Sequence, residues 1–260
     1  MSKTEIKHYK AGASRTPAQI AEEARALVTK AVPEGVKADS IVLALRVCLA
    51  STPKLQGCSA ASIFAAVYQI AALGLTPGDS RGLAYLIPYG STCQLIVGYR
   101  GLIQLAVGSG GATSIRAGVV GKDDEWEWVE GLEPVLRHKP KSSAPRPADV
   151  IAAYAIAELP GGGRSWVVLT RDDLEARRKV GASGKGRASP WDEFYSEMAR
   201  KSAVRALCKY LILSPDRAAR LTRAEAAEAG ELDERGTQLL ADLGYSVDVE
   251  AVEPAEEAAP

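Results

Sequence analysis

The sequence predicts an α+β fold, with antiparallel β-hairpins and a small sheet packed with helices in a single core domain. Three features carry that prediction: apolar residues recur at helical spacing early and late in the chain, two hairpin-like segments lie between, and nothing repeats in a βαβ manner. A flexible segment, residues 1–35, is expected before a core at 36–220, with an acidic tail at 221–260 after it.

Residues 1–35 are polar and punctuated by Pro17 and Pro33, so the helix readable in "TPAQIAEEARALVTKA" is expected to be short and frayed. "ADSIVLALRVCLAS" follows at helical spacing with Asp39 and Ser40 as N-cap candidates, and "SAASIFAAVYQIAALGL" does the same behind Ser59. Gly74 suits the C-cap of the second helix, and Pro77-Gly78 suits a turn. In "LAYLIPYGSTCQLIVGY" two apolar and aromatic runs flank "PYGS", the pattern of a β-hairpin with Pro88 beside the turn. "RGLIQLAVGSG" returns to helical spacing, and short strands are expected in "ATSIRAGVVG" and "EWEWVE". "PKSSAPRPAD" reads as an exposed loop, and "VIAAYAIAEL", "PGGGR" and "SWVVLT" read as a second hairpin. Thr170 and "RDDLEARRKV" make a capped helix with acids in its first turn and bases in its last. "GASGKGRASP" lacks any core-forming residue and is expected to be mobile, and "EFYSEMARKSAVRALCKYL" is expected to form one continuous helix.

Composition narrows the function classes. No apolar run approaches the roughly 18 residues a bilayer span needs, and "MSKTEIKHYK" lacks the apolar centre of a signal peptide, so a cytoplasmic protein with no membrane association is expected. Four cysteines in no C-x-x-C arrangement and two histidines, His8 and His138, argue against zinc and a disulfide framework. The zero net charge conceals an asymmetry. Residues 221–260 hold 11 acids and 2 bases, a balance of −9, which leaves +9 on the remainder. A basic body with an acidic tail is common among proteins that handle nucleic acid.

Motifs for covalent chemistry fail. Gly184-Lys185 is followed by Gly186 and has Lys179 where a phosphate-binding loop needs its first glycine, and "GSGGAT" breaks as a dinucleotide fingerprint at Thr113. Asp123-Asp124 and Asp172-Asp173 read as surface or capping acids, so no catalytic residue, metal or cofactor is expected.

Binding signals are stronger. On the helix at 193–211, Tyr195, Ala199, Ala203, Val204, Ala206, Leu207, Tyr210 and Leu211 form an apolar arc, while Lys201, Arg205 and Lys209 line up on the opposite side. Like charges at this spacing repel, and only Lys201 has an acid four residues earlier, Glu197. The row extends about 12 Å, enough for two or three successive phosphates. Arg200 falls on the apolar arc and needs a carboxylate, a carbonyl or a phosphate nearby. Upstream, Lys185 and Arg187 lie on flexible backbone and Trp191 offers a ring for stacking, the ingredients of single-strand binding. A second cluster comprises Arg81 and the "GYRG" segment, where Tyr99 and Arg100 sit between glycines that permit close approach of a ligand. Tyr85 and Tyr89 lie on the hairpin between them.

Five segments, "LRVCLASTPKLQGCSAASIFAAVYQIAALGLTPG", "AYLIPYGSTCQLIVGYRGLIQLA", "GLEPVLRHKP", "AYAIAELPGGG" and "WDEFYSEMARKSAVRALCKYLILSP", resemble in the same order the signature segments of the RecT family of phage and prophage single-strand annealing proteins. The resemblance runs from about Lys37 to Pro215. It implies an ATP-independent recombination protein that binds single-stranded DNA, assembles as rings or filaments, anneals complementary strands and works with a 5′-to-3′ exonuclease and a host single-strand binding protein. By matching position it points to Arg200, Lys201, Arg205 and Lys209 on the basic helix, and to Arg100 in "GYRG". A passive single-strand binder and a magnesium-dependent nuclease, with Asp79, Asp123 and Asp124 as its acids, are the competing classes.

Overall fold

A computed structural model of the chain describes residues 2–5, 15–108, 110–141, 145–181, 189–211, 215–228, 230–245 and 248–251. The α+β expectation holds. The first part of the chain forms β1 (Ser2–Glu5), α1 (Pro17–Ala31), α2 (Ala38–Ser51), α3 (Pro53–Gln56), α4 (Ala60–Leu73), β2 (Ala84–Tyr89), β3 (Thr92–Val97) and α5 (Tyr99–Gly108). Strands β4 (Ser114–Gly121), β5 (Glu125–Val129), β6 (Val135–Lys139), β7 (Val150–Glu158) and β8 (Arg164–Thr170) follow. The chain continues through α6 (Arg171–Gly181), α7 (Pro190–Glu193), α8 (Tyr195–Cys208), α9 (Pro215–Glu228), α10 (Glu234–Asp242) and β9 (Asp248–Ala251), which pairs with β1. Two compact units result: Met1–Gly101 with Ala219–Pro260, and Leu102–Ala218.

In the first unit α4 is the centre. Every residue from Ala61 to Leu73 is buried, as expected of a helix apolar on all sides. Ser59 caps it by accepting from the Ser62 N–H, and Gly74 ends it in the left-handed region at φ 68°. Helix α1 lies within the segment expected to be flexible, yet it is packed along its length. Ile20, Ala24, Leu27 and Val28 bury one stripe, and Thr16 with Gln19 forms a capping box. The proposed caps of α2 are displaced: the helix starts at Ala38, leaving Asp39 and Ser40 in its first turn, where Asp39 favours the helix dipole and pairs with Arg25.

Part of the acidic carboxyl-terminal region folds onto this unit. Asp233 caps α10 and accepts from the Tyr68 hydroxyl at 2.7 Å, and Gln69 donates to the Glu231 carbonyl at 2.7 Å. A Cβ on Gly236 would overlap the Tyr68 ring, so a glycine is required at this contact. Glu228 accepts from the Val97 N–H at 2.7 Å, and Tyr245 meets Phe64 edge-on at 5.0 Å.

The second unit is built on a three-stranded antiparallel sheet in the order β4-β7-β8. Ala153, Ala155 and Ala157 are fully buried, as are Ala199 and Ala203 of α8, and small residues on both partners let helix and sheet approach closely. Strand β6, unanticipated from "VLRHK", pairs with β5. This hairpin is joined to the sheet by His138, whose Nε2 lies 2.9 Å from the buried Asp124 carboxylate and whose Nδ1 lies 3.1 Å from the Tyr154 hydroxyl. Trp126 stacks on Tyr154 at 5.7 Å, and Tyr154 lies over Gly118, where a Cβ would come within 2.5 Å of the ring.

Among the described residues no helix is long and apolar enough to cross a membrane, and no cluster of three or more potential metal ligands occurs. Burial raises the pKa of the Cys48, Cys58 and Cys93 thiols, which suits packing groups and not nucleophiles.

Candidate nucleic-acid interface

The first cluster lies in the unit containing α4. A short turn before β2 brings Arg81 to Asp79, which accepts from its guanidinium at 2.7 and 2.9 Å and from its backbone N–H at 2.9 Å. Arg81 stays largely exposed, and Arg100 is exposed as well. Arg100 Nε donates to the Tyr99 hydroxyl at 3.1 Å, its guanidinium carbon lies 5.7 Å from that ring's centre, and Nη1 is 3.5 Å from the Arg81 carbonyl. The structure therefore gathers Arg81, Tyr99 and Arg100 into one exposed cationic and aromatic patch. The glycines of "GYRG" have a role other than the expected one. A Cβ on Gly98 would overlap the Gly82 carbonyl oxygen, and one on Gly101 would overlap that of Leu83. They admit the chain's own backbone, and that tight contact holds Tyr99 and Arg100 at the start of α5.

The second cluster surrounds α8. The expected single helix is interrupted at Phe194 (φ −123°, ψ 45°), and α8 ends at Cys208 with Lys209 as its C-cap. Tyr195 orients the helix: Arg171 stacks over its ring at 4.8 Å, and its hydroxyl donates to Glu175 at 3.0 Å. Burial and that bond push the hydroxyl up to about 12, so it remains a protonated donor.

The row of charge is not uniformly open. Lys201 is only 8% exposed, Arg205 is half-buried and Lys209 is exposed. Periodicity assigned all three to solvent, but surrounding structure covers the first. Tyr210, assigned to the core, is 72% exposed because the helix ends before it. Arg200 does find a carboxylate: it donates to Glu197 at 2.6 Å, the acid the spacing had offered to Lys201. Trp191 is buried and packs edge-on against Tyr195 at 5.3 Å, so its ring supports the start of α8 and presents no open face. Lys185 and Arg187 lie outside the described residues. Their segment is flanked by an ion pair, Arg178 to Asp192 at 2.6 Å, and by the Ser189 capping box.

Two of the three nuclease acids are otherwise engaged, and the third, Asp123, is exposed. Asp79 holds Arg81, while Asp124 accepts from the N–H groups of Gly121 and Lys141 and contacts His138. Burial raises the Asp124 pKa, but the bonds from His138, Lys141 and Gly121 outweigh it and hold the carboxyl below the usual range.

Comparison with known proteins gives a consistent relationship. The sequence model of the RecT family matches residues 40–238. Protein RecT of Escherichia coli (strain K12) is 36% identical over 192 residues, covering 71% of this chain and 70% of that protein. The uncharacterized protein YqaK of Bacillus subtilis (strain 168) is 30% identical over 167 residues, covering 63% of this chain and 56% of its own length.

Proposed function

Because the chain belongs to the RecT family, we propose that it is a recombination protein that binds single-stranded DNA as an oligomer and anneals complementary strands without ATP or a metal cofactor. The observation that carries this reading is the family match across 40–238, a span that contains both cationic clusters. Annealing requires no covalent step. It requires that the repulsion between two polyanions be reduced while base edges stay available for pairing.

Exposed Arg100, Arg81 and Lys209 meet phosphates in this mechanism, with Arg205 reaching from its half-buried position and Lys185 and Arg187 adding charge. Tyr99 and Tyr210 supply rings beside those cations. Lys201 adds positive potential from within, and Arg200 fixes α8 through Glu197. Specificity then comes from Watson–Crick pairing between the strands. A 5′-to-3′ exonuclease that exposes the single strand, a host single-strand binding protein as a second partner and a cytoplasmic location complete the proposal.

The test is energy transfer between two dye-labelled complementary oligonucleotides mixed with the protein, without nucleotide, across a salt series. Pairing well above the spontaneous rate that fades as salt rises is expected. Binding with unaltered pairing would identify a passive single-strand module, and magnesium-dependent strand loss would identify a nuclease.

A further inference from the structure

One face of the β4-β7-β8 sheet carries binding chemistry that neither cationic cluster uses. The strand register puts Arg116, Ile156 and Trp166 in one row across the sheet and Ser114, Glu158 and Arg164 in the next. The rows are two residues apart on every strand, so all six side chains emerge on the same side. Ser114 confirms this by donating to the Glu158 carboxylate at 3.1 Å. Arg116 and Arg164 are exposed, and neither guanidinium makes a hydrogen bond or ion pair among the described residues. Trp166, half-buried, stands two residues from Arg164 on β8 and in register with Arg116, about 10 Å away across two strand spacings.

At the end of this face a cleft of about 630 Å³ is lined by Trp166, Arg164, Glu158, Thr113 and the turn glycines Gly162 and Gly163. Those glycines adopt φ +83° and +82°, and nothing lies within 4 Å of where a Cβ would stand. Packing does not demand glycine there; the left-handed backbone does, and it leaves the turn open on the cleft side.

We infer that this cleft is a nucleotide subsite for single-stranded DNA, in which an unpaired base lies against Trp166 and its phosphate meets Arg164, with Arg116 receiving the neighbouring phosphate. The inference rests on the reading of the chain as a single-strand binder. The mixture of groups selects the ligand. A ring face stacks on any base, and a free guanidinium attracts phosphate. The Glu158 carboxylate repels a phosphate but accepts from an N–H on the edge of a base, the imino N–H of thymine included, so the base enters and the backbone stays at the rim. Aromatic residues on an open sheet face are an established way of holding splayed bases.

The test titrates a labelled deoxythymidine oligonucleotide with the full chain and with Trp166→Ala, Trp166→Phe, Arg164→Ala and Arg116→Ala across a salt series. Trp166→Ala is expected to weaken binding about tenfold with an unchanged salt slope, as loss of one stacking contact should, and Trp166→Phe to restore most of it. Arg164→Ala is expected to reduce the salt slope by about 0.7, the value for one phosphate on a single strand. In the wild-type protein a 5-iodouracil oligonucleotide should crosslink to the tryptic segment at 165–171; this readout decides the matter if Trp166→Ala does not fold. Wild-type affinity and slope in the variants, with crosslinks elsewhere, would overturn the subsite and leave the single-strand reading intact. A wild-type protein that binds no strand would overturn both.

Discussion

Gly98 and Lys201 each show how one residue's environment decides its role. Gly98 is held against the Gly82 carbonyl, and a methyl group there must displace backbone. Gly98→Ala is therefore expected to destabilise the first unit by ~1–3 kcal/mol, as overpacking at a fixed contact does, and to weaken DNA binding only through that loss. A melting temperature equal to the wild type's would show that the contact is dispensable. Along α8 the same distinction separates neighbours on one helical row. Lys209→Ala, at an exposed C-cap, should lower single-strand affinity and reduce the salt slope by about 0.7 while leaving thermal stability nearly unchanged. Lys201→Ala removes a buried charged group and should cost ~1–3 kcal/mol of stability in addition to any loss of binding. Equal melting temperatures for the two variants would contradict this division.

At the scale of elements, one ionised group, Asp124, helps to anchor the β5–β6 hairpin through His138. The folded-state pKa of Asp124 lies below its unfolded value, so its contribution is fully present above the ordinary aspartate range near pH 3.9 and is lost as pH falls through the lower folded value. Near-ultraviolet circular dichroism, to which Trp126 stacked on Tyr154 contributes, should therefore report loss of the hairpin in acid. Asp124→Asn should lower stability at neutral pH and make its acid dependence shallower; an unchanged pH profile would remove Asp124 as its source. This hairpin also marks how far the sequence could be read. Caps at Ser59 and Gly74 and the turns of two hairpins were legible because single residue types fix them. Strand β6 was not, since "VLRHK" has no apolar alternation and pairs only through its partner. Nor could periodicity reveal that Lys201 is buried, that α8 stops before Tyr210, or that Arg116, Trp166 and Arg164 share a face. Those facts arise from tertiary contacts and register between distant segments.

For the whole molecule, the segregation of charge has to be considered together with the packing of the carboxyl-terminal region. Removal of everything after Asp216 would delete acids, but it would also strip α10 from α4 and free the Val97 N–H from Glu228. Tyr68 and Gln69 would lose their partners at Asp233 and Glu231. That truncation is expected to unfold part of the first unit, so any change in DNA binding would confound charge with structure. A cut after Tyr245 separates them. It retains the Tyr68–Asp233 bond and the Phe64–Tyr245 contact, and it removes Asp248, Glu250, Glu253, Glu256 and Glu257 with no base. The chain becomes more positive by five charges, at the cost of the β1–β9 pairing. If these acids compete with DNA for the cationic clusters, this variant should bind single strands several-fold more tightly at low salt. The gain should disappear as salt approaches molar concentrations, where the screening length falls to about 3 Å. A gain that persists at high salt would assign the effect to the lost strand pairing, and no gain at low salt would show that the terminal acids do not face the DNA-binding surface.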